Sequence, residues 1–161
     1  MPRTPTPRYP WITSDGYLDM TKLPLESCYQ QTLSEDPAAV RSALHVLQSA
    51  TAHDRPEAGV FLMGLLVHTP PEDWEFRCEV VEALGATHTR PCAALLFSEL
   101  RRVKSSNTTR RYLGTVLKTL AHFPRDLVRE ELEALADDPS FSYRLRAKFR
   151  AVATRGLDGL R

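Results

Sequence analysis

No apolar run in this chain is long enough to cross a bilayer. The longest, Val60 to Val67, covers eight residues, against the roughly 20 that a membrane helix needs. Cysteine is scarce: Cys28, Cys78 and Cys92 form no CxxC pair and leave one odd, so they read as small buried hydrophobes in a reducing compartment. There is no excess of one charge, and a formal net charge of +1 supplies no global attraction to nucleic acid or anionic lipid. GxGxxG, P-loop and GxSxG motifs are absent, and His45, His53, His68, His88 and His122 make neither HxxxH nor HExxH spacing. No cofactor, metal or catalytic residue is therefore assigned, and an enzyme is the least supported class. A cysteine nucleophile paired with a distant histidine stays open. Met1 to Pro10 holds prolines where a secretory leader needs an apolar run. A cytoplasmic protein with no membrane partner is expected.

Proline, by contrast, is plentiful and unevenly placed. Pro2, Pro5, Pro7, Pro10 and Pro24 remove backbone donors and fix φ, which makes residues 1–24 an irregular N-terminal arm. Its first eight residues are expected to be loose. Residues 9–24 carry Tyr9, Trp11, Ile12, Tyr17, Leu18 and Met20, too much apolar surface for a free tail, so they should lie against the body of the protein.

Residues 25–161 form one helical domain. Helices are expected over Glu26–Leu33, from Pro37 with Asp36 as N-cap, over Glu57–His68, and from Glu72 and Asp73 to a C-cap at Gly85. Others follow over 91–104, Thr108–His122, Arg125–Ala136 and 141–155, with Gly156 closing the last. No stretch joins β-branched residues to period-two alternation, so no sheet is expected. The eight helices read as four antiparallel pairs. Arg41, Arg77, Arg110 and Arg146 fall 36, 33 and 36 residues apart, each with an apolar residue three places on (Leu44, Val80, Leu113 and Phe149). A period in the mid-thirties marks a helical repeat array.

The run Asp36-Pro37-Ala38-Ala39-Val40-Arg41 and the run Leu132-Glu133-Ala134-Leu135-Ala136-Asp137-Asp138-Pro139 resemble HEAT-type repeats of the bacterial, phycobilin lyase-like sort. Val80-Val81-Glu82-Ala83-Leu84-Gly85 is similar, whereas the third repeat has Asn107 where the family has aspartate. The resemblance covers about residues 25–155. It implies a right-handed α-solenoid in which an aspartate–arginine ladder joins successive repeats: Asp36 with Arg41, Asp73 with Arg77, and Asp138 with Arg144 or Arg146. Arg41, Arg77 and Arg110 are then scaffold residues. Such solenoids mostly serve as scaffolds.

Two features point to partners. Arg101, Arg102, Lys104, Arg110 and Arg111 put five positive charges around an uncharged Ser-Ser-Asn-Thr-Thr centre, and Arg144, Arg146, Lys148, Arg150, Arg155 and Arg161 form a second cluster. Between them lies an acidic helix with Glu130, Glu131, Glu133, Asp137 and Asp138. The basic segments 101–111 and 144–161 suit phosphate, but the interposed acids would repel it. The other feature is the helix around Phe61, Leu62 and Leu65, which is apolar nearly all round and needs a cover. The N-terminal arm is the favoured cover, a second copy or another protein the alternative. The function expected is a non-enzymatic adaptor, monomeric in preference to self-associated, that binds another protein; a nucleic-acid-binding module is the alternative.

Overall fold

The computed structural model describes residues 10–161; the expected looseness of residues 1–8, and the placement of Tyr9, lie outside the described residues. Within that range the protein is all-α. Eight helices succeed one another: α1 (Leu25–Gln31), α2 (Pro37–Ala52), α3 (Pro56–His68), α4 (Trp74–Ala83), α5 (Arg90–Arg102), α6 (Arg110–Ala121), α7 (Arg125–Asp137) and α8 (Tyr143–Arg155). Short 3-10 turns occupy Met20–Lys22, Leu84–Ala86 and Gly156–Leu160. Among the described residues there is no sheet, only one isolated antiparallel bridge between Ile12 and Leu18.

The helix starts follow from their caps. The Asp36 carboxylate accepts from the Ala38 N–H at 3.0 Å, and Pro37 takes the first position, where it has no donor to lose. Asp73 is itself an N-cap, accepting from Phe76 N–H at 3.2 Å, rather than a first-turn charge. Thr89 and Ser142 cap α5 and α8 in the same way. The expected C-cap at Gly85 is not formed. That residue sits inside the 3-10 turn that tightens the end of α4, and its φ is not positive. Gly156, with φ 59°, does close α8.

Chain neighbours pack as α1 on α2, α2 on α3, α3 on α4, α5 on α6 and α7 on α8. Every second helix also touches, along one row α1, α3, α5, α7 and a second row α2, α4, α6. The C-terminal 3-10 turn packs on α8 and reaches α6, closing the second row. Only glycine allows that approach, since a Cβ on Gly159 would stand 2.3 Å from the Ala151 carbonyl oxygen.

Helix α3 needs no outside cover. It touches α1, α2, α4 and α5, so most of its circumference is filled by its own domain. Leu62 and Leu65 are 0% and 3% exposed, which removes them as partner-binding residues. Phe61 is half-buried with its ring 5.3 Å from that of Tyr29. Of the large apolar side chains on this helix, Val60 and Val67 stand well exposed. Three of the arm's apolar residues are left in water rather than serving as the expected cover. Ile12, Tyr17 and Leu18 are exposed, while Trp11 and Met20 are partly buried against the core and Leu23 is buried. The arm is tethered at the start of α3, where the Arg55 guanidinium donates to the carbonyls of Met20, Thr21 and Leu23 at 2.7, 3.1 and 3.3 Å.

Among the described residues the core holds one charged cluster. Arg77 on α4, 3% exposed, donates to Glu99 on α5 at 2.6 Å, and to the carbonyls of Leu66 and Thr69 at the end of α3 at 3.2 and 3.0 Å. The Tyr112 hydroxyl on α6 donates to the same Glu99 oxygen. Trp74 packs its ring 5.3 Å from that of Tyr112, and the Arg77 guanidinium lies 5.4 Å from the Tyr112 ring centre. Of Arg41, Arg77 and Arg110 only Arg77 is built into the scaffold, and its acidic partner is Glu99 rather than the expected Asp73. Arg146 is half-buried and its charge acts on Asp138 without an ion pair among the described residues. Arg41 is exposed and faces Glu79 and Glu82 across a shallow groove without forming an ion pair. Arg110 is exposed and, among the described residues, its side chain bonds only Asn107. The difference lies in depth: Arg77 reaches the open carbonyls of the preceding helix, and the other two point to water.

Removing one member of a buried ion pair strands the other. Arg77→Ala should cost about 3–5 kcal/mol in urea unfolding, whereas Arg41→Ala and Arg110→Ala should stay within ~0.5 kcal/mol of the parent. Equal losses at all three would restore the ladder.

Candidate functional site

The chain after α5 builds a cleft. Helix α5 ends at Arg102, and residues 103–109 turn back into α6. That turn holds itself: Ser106 N–H donates to Thr109 Oγ1 at 2.9 Å, Thr109 N–H to Ser106 Oγ at 3.2 Å, and the Thr109 hydroxyl to the Lys104 carbonyl at 2.6 Å. The uncharged centre of the basic segment is therefore a closed turn and not a loose polar platform. Opposite it, Asp138 accepts from Ser140 N–H at 2.8 Å and Ser142 caps α8. Phe141 and Phe149 meet edge to face with centroids 5.2 Å apart.

Between these walls lies a cavity of about 480 Å³, within the size range of small binding pockets. Leu100, Leu113, Leu117 and Phe149 form its buried floor, and Phe141, Leu145 and Leu160 its partly buried sides. Arg101, Arg102, Lys104, Arg110 and Lys148 stand around it, with the hydroxyls of Ser105, Ser140 and Ser142. None of the lining residues carries a carboxylate.

The five cations are not equivalent. Arg102 is bound by Glu99 at 2.9 Å, which couples the cleft to the buried Arg77 cluster. Arg101 is paired with Glu131 of α7, an exposed contact worth little in water. Arg110 has only the neutral Asn107 side chain, at 3.1 Å. Lys104 and Lys148 have no ion pair or hydrogen bond from their side chains among the described residues. Asp138 lies near the rim. The Ser140 hydrogen bond, helped by the charges of Arg101 and Arg146, holds its carboxyl below the usual range.

Of the sequence-predicted residues, Arg101, Arg102, Lys104 and Arg110 thus meet at one site, joined by Lys148 from the second cluster. Arg111 is exposed but outside the lining, and Arg150 pairs with Asp137 at 2.9 Å. Phe61, Leu62 and Leu65 belong to α3 and take no part. Missed from sequence were Leu113, Gly114 and Leu117 on α6, which with Arg110 fall at i, i+3, i+4 and i+7 and so share one face. Their signal was that stripe, which reads equally as ordinary core.

The thiols offer no nucleophile. Cys28, Cys78 and Cys92 are free and buried, and burial raises all three pKa values, that of Cys92 to about 12. Among the described residues no group of three or more His, Cys, Asp or Glu could hold a metal ion, and no helix is long and apolar enough to cross a membrane. Set against protein-family models, curated proteins and solved structures, the chain matches none.

Two outcomes follow from these environments. All three thiols should resist an aromatic disulfide reagent in the native protein and react together on unfolding; fast native labelling of any one would contradict its burial. Burial alone would raise the Glu99 pKa, but hydrogen bonds from Arg102, Tyr112 and Arg77 outweigh it and hold the carboxyl below its ordinary value. A lowered folded pKa means stability that is present above the unfolded value and lost as pH falls through the folded one. Unfolding free energy should therefore drop as pH falls below the ordinary glutamate range, about 4.3, and Glu99→Gln should flatten that slope. An unchanged slope would show that Glu99 carries no such linkage.

Proposed function

We propose that this chain is a non-enzymatic binding module, a HEAT-like scaffold that docks a protein partner in the cleft between the α5–α6 turn and α8. One observation carries the reading: an apolar floor surrounded by five cationic side chains, with no carboxylate in its lining. A partner segment with acidic side chains and an apolar residue complements both parts of that surface. The recurring aspartate caps at Asp36 and Asp73 and the two rows of touching helices support the repeat reading. Three free thiols suit a cytoplasmic setting.

Nucleic acid is the second reading, and the charges around the cleft favour it less. A phosphate backbone repeats its charge along its length, and beyond the rim it meets Glu131 beside Arg101 and Asp137 beside Arg150. A short acidic segment needs only the cleft.

The test is fluorescence anisotropy with two labelled probes, a peptide of Glu and Asp around a central Phe and a single-stranded oligonucleotide. The peptide should bind. Lys104→Glu with Lys148→Glu should weaken it by at least about tenfold, ~1.4 kcal/mol, with melting unchanged because both side chains are exposed and unpaired. Peptide affinity indifferent to the charge reversal would refute the reading. Oligonucleotide binding that is stronger than the peptide's and collapses with salt would replace it by the second.

A further inference from the structure

The middle of the α6 face that walls the cleft has a gap. Arg110, Leu113 and Leu117 project their side chains there, and between them stands Gly114. Nothing in the fold asks for glycine at that point. Its φ is not positive, and a Cβ built on it would meet no atom within 4 Å. Glycine in a helix interior is the least favourable residue after proline. Gly64 and Gly85 also have room for a Cβ, but neither lines this cleft. The missing side chain leaves space in a cleft whose lining also includes Leu113, Leu117 and Phe149 and the two lysines without an ion pair, Lys104 and Lys148.

We propose that Gly114 is a specificity-determining residue: its missing side chain admits one bulky apolar side chain, aromatic or leucine-sized, from an anionic protein segment whose flanking carboxylates or phosphate meet Lys104, Arg110 and Lys148. The inference rests on the reading of the cleft as a protein-docking site and adds what the partner must carry. Affinity comes from burying the anchor against the floor, and the cations fix the segment's register and reject uncharged sequences. A uniform polyanion lacks the anchor and fills only the rim. Phosphate and carboxylate share the chemistry that the rim recognises, so each is represented among the probes.

The experiment uses the full chain and four labelled peptides of equal length: Glu/Asp around Phe, the same with Ala for Phe, the Phe peptide with its acids replaced by Gln, and the Phe peptide with a phosphoserine beside the anchor. The Phe-to-Ala change should weaken binding roughly tenfold to a hundredfold, and the Gln peptide should not bind. Gly114→Trp should abolish binding of the Phe peptide without lowering the melting temperature. Gly114→Ala should raise the melting temperature by ~2–4 °C and bind the Phe peptide no more tightly than the parent. If the Phe and Ala peptides bind equally, or Gly114→Trp leaves affinity intact, the anchor pocket is refuted while the charge-dependent docking surface stands. If no peptide binds the parent protein, both fall. Tighter binding of the phosphopeptide than of the carboxylate peptide assigns the rim to phosphate, and the reverse assigns it to carboxylate; the anchor survives either result.

Discussion

Glu99 keeps its charge where water scarcely reaches it, at 5% exposure, and it does so because three donors from three helices converge on it. A carboxylate in that position without partners would be protonated or expelled. An arginine such as Arg77, equally buried, would be as costly alone. Each makes the other tolerable. Burial alone would lower the Arg77 pKa, and the Glu99 hydrogen bond and charge raise it instead. The pair therefore demands that α4 and α5 stand at one separation, that Tyr112 bring α6 to the same point, and that the last turn of α3 present its Leu66 and Thr69 carbonyls to Arg77. Apolar burial is non-directional, whereas a buried ion pair hydrogen-bonded to Leu66, Thr69, Arg102 and Tyr112 fixes one geometry.

The same carboxylate reaches the surface. Arg102 takes its remaining lone pairs at 3.2, 3.0 and 2.9 Å and in doing so stands at the mouth of the cleft. Core and rim thus share one acid. The rim divides into cations already committed, Arg101 and Arg102, and those left over, Lys104, Lys148 and in effect Arg110. Overall charge balance hides that remainder, since the acidic α7 neutralises part of the basic surface from the side. A nearly neutral protein can in this way keep one strongly polarised pocket.

Much of the fold was legible in the sequence, because helix starts are local chemistry. Asp36 before Pro37 and Thr89 before Pro91 specify their N-termini through donors and acceptors two or three residues apart, and no long-range contact is needed to read them. The errors arose where depth decides. Arg41, Arg77 and Arg110 recur with the same spacing, yet only one is buried, and periodicity carries no information on depth. The α3 run looked uncovered because two of its four helical neighbours, α1 and α5, are not adjacent to it in the chain. Glu99, three residues before Arg102, has the spacing of an ordinary surface pair, so its burial left no local sign. The cleft was half legible: its cations stood out as a cluster, while its floor of Leu113, Leu117 and Phe149 matched any core stripe. Gly114 was one of seven scattered glycines until the cavity beside it was in view.

The central claim, that Arg77 and Glu99 act as one unit on which the helix geometry depends, is tested most directly by a double-mutant cycle in urea. Arg77→Met and Glu99→Leu would be measured singly and together, since replacing both charges by apolar groups of similar size leaves no stranded ion. The double variant should be more stable than the sum of the single losses allows, with a coupling of about 1–3 kcal/mol. Losses that add to within ~0.5 kcal/mol would contradict it, and would make the cluster an incidental contact in a core held by apolar packing alone.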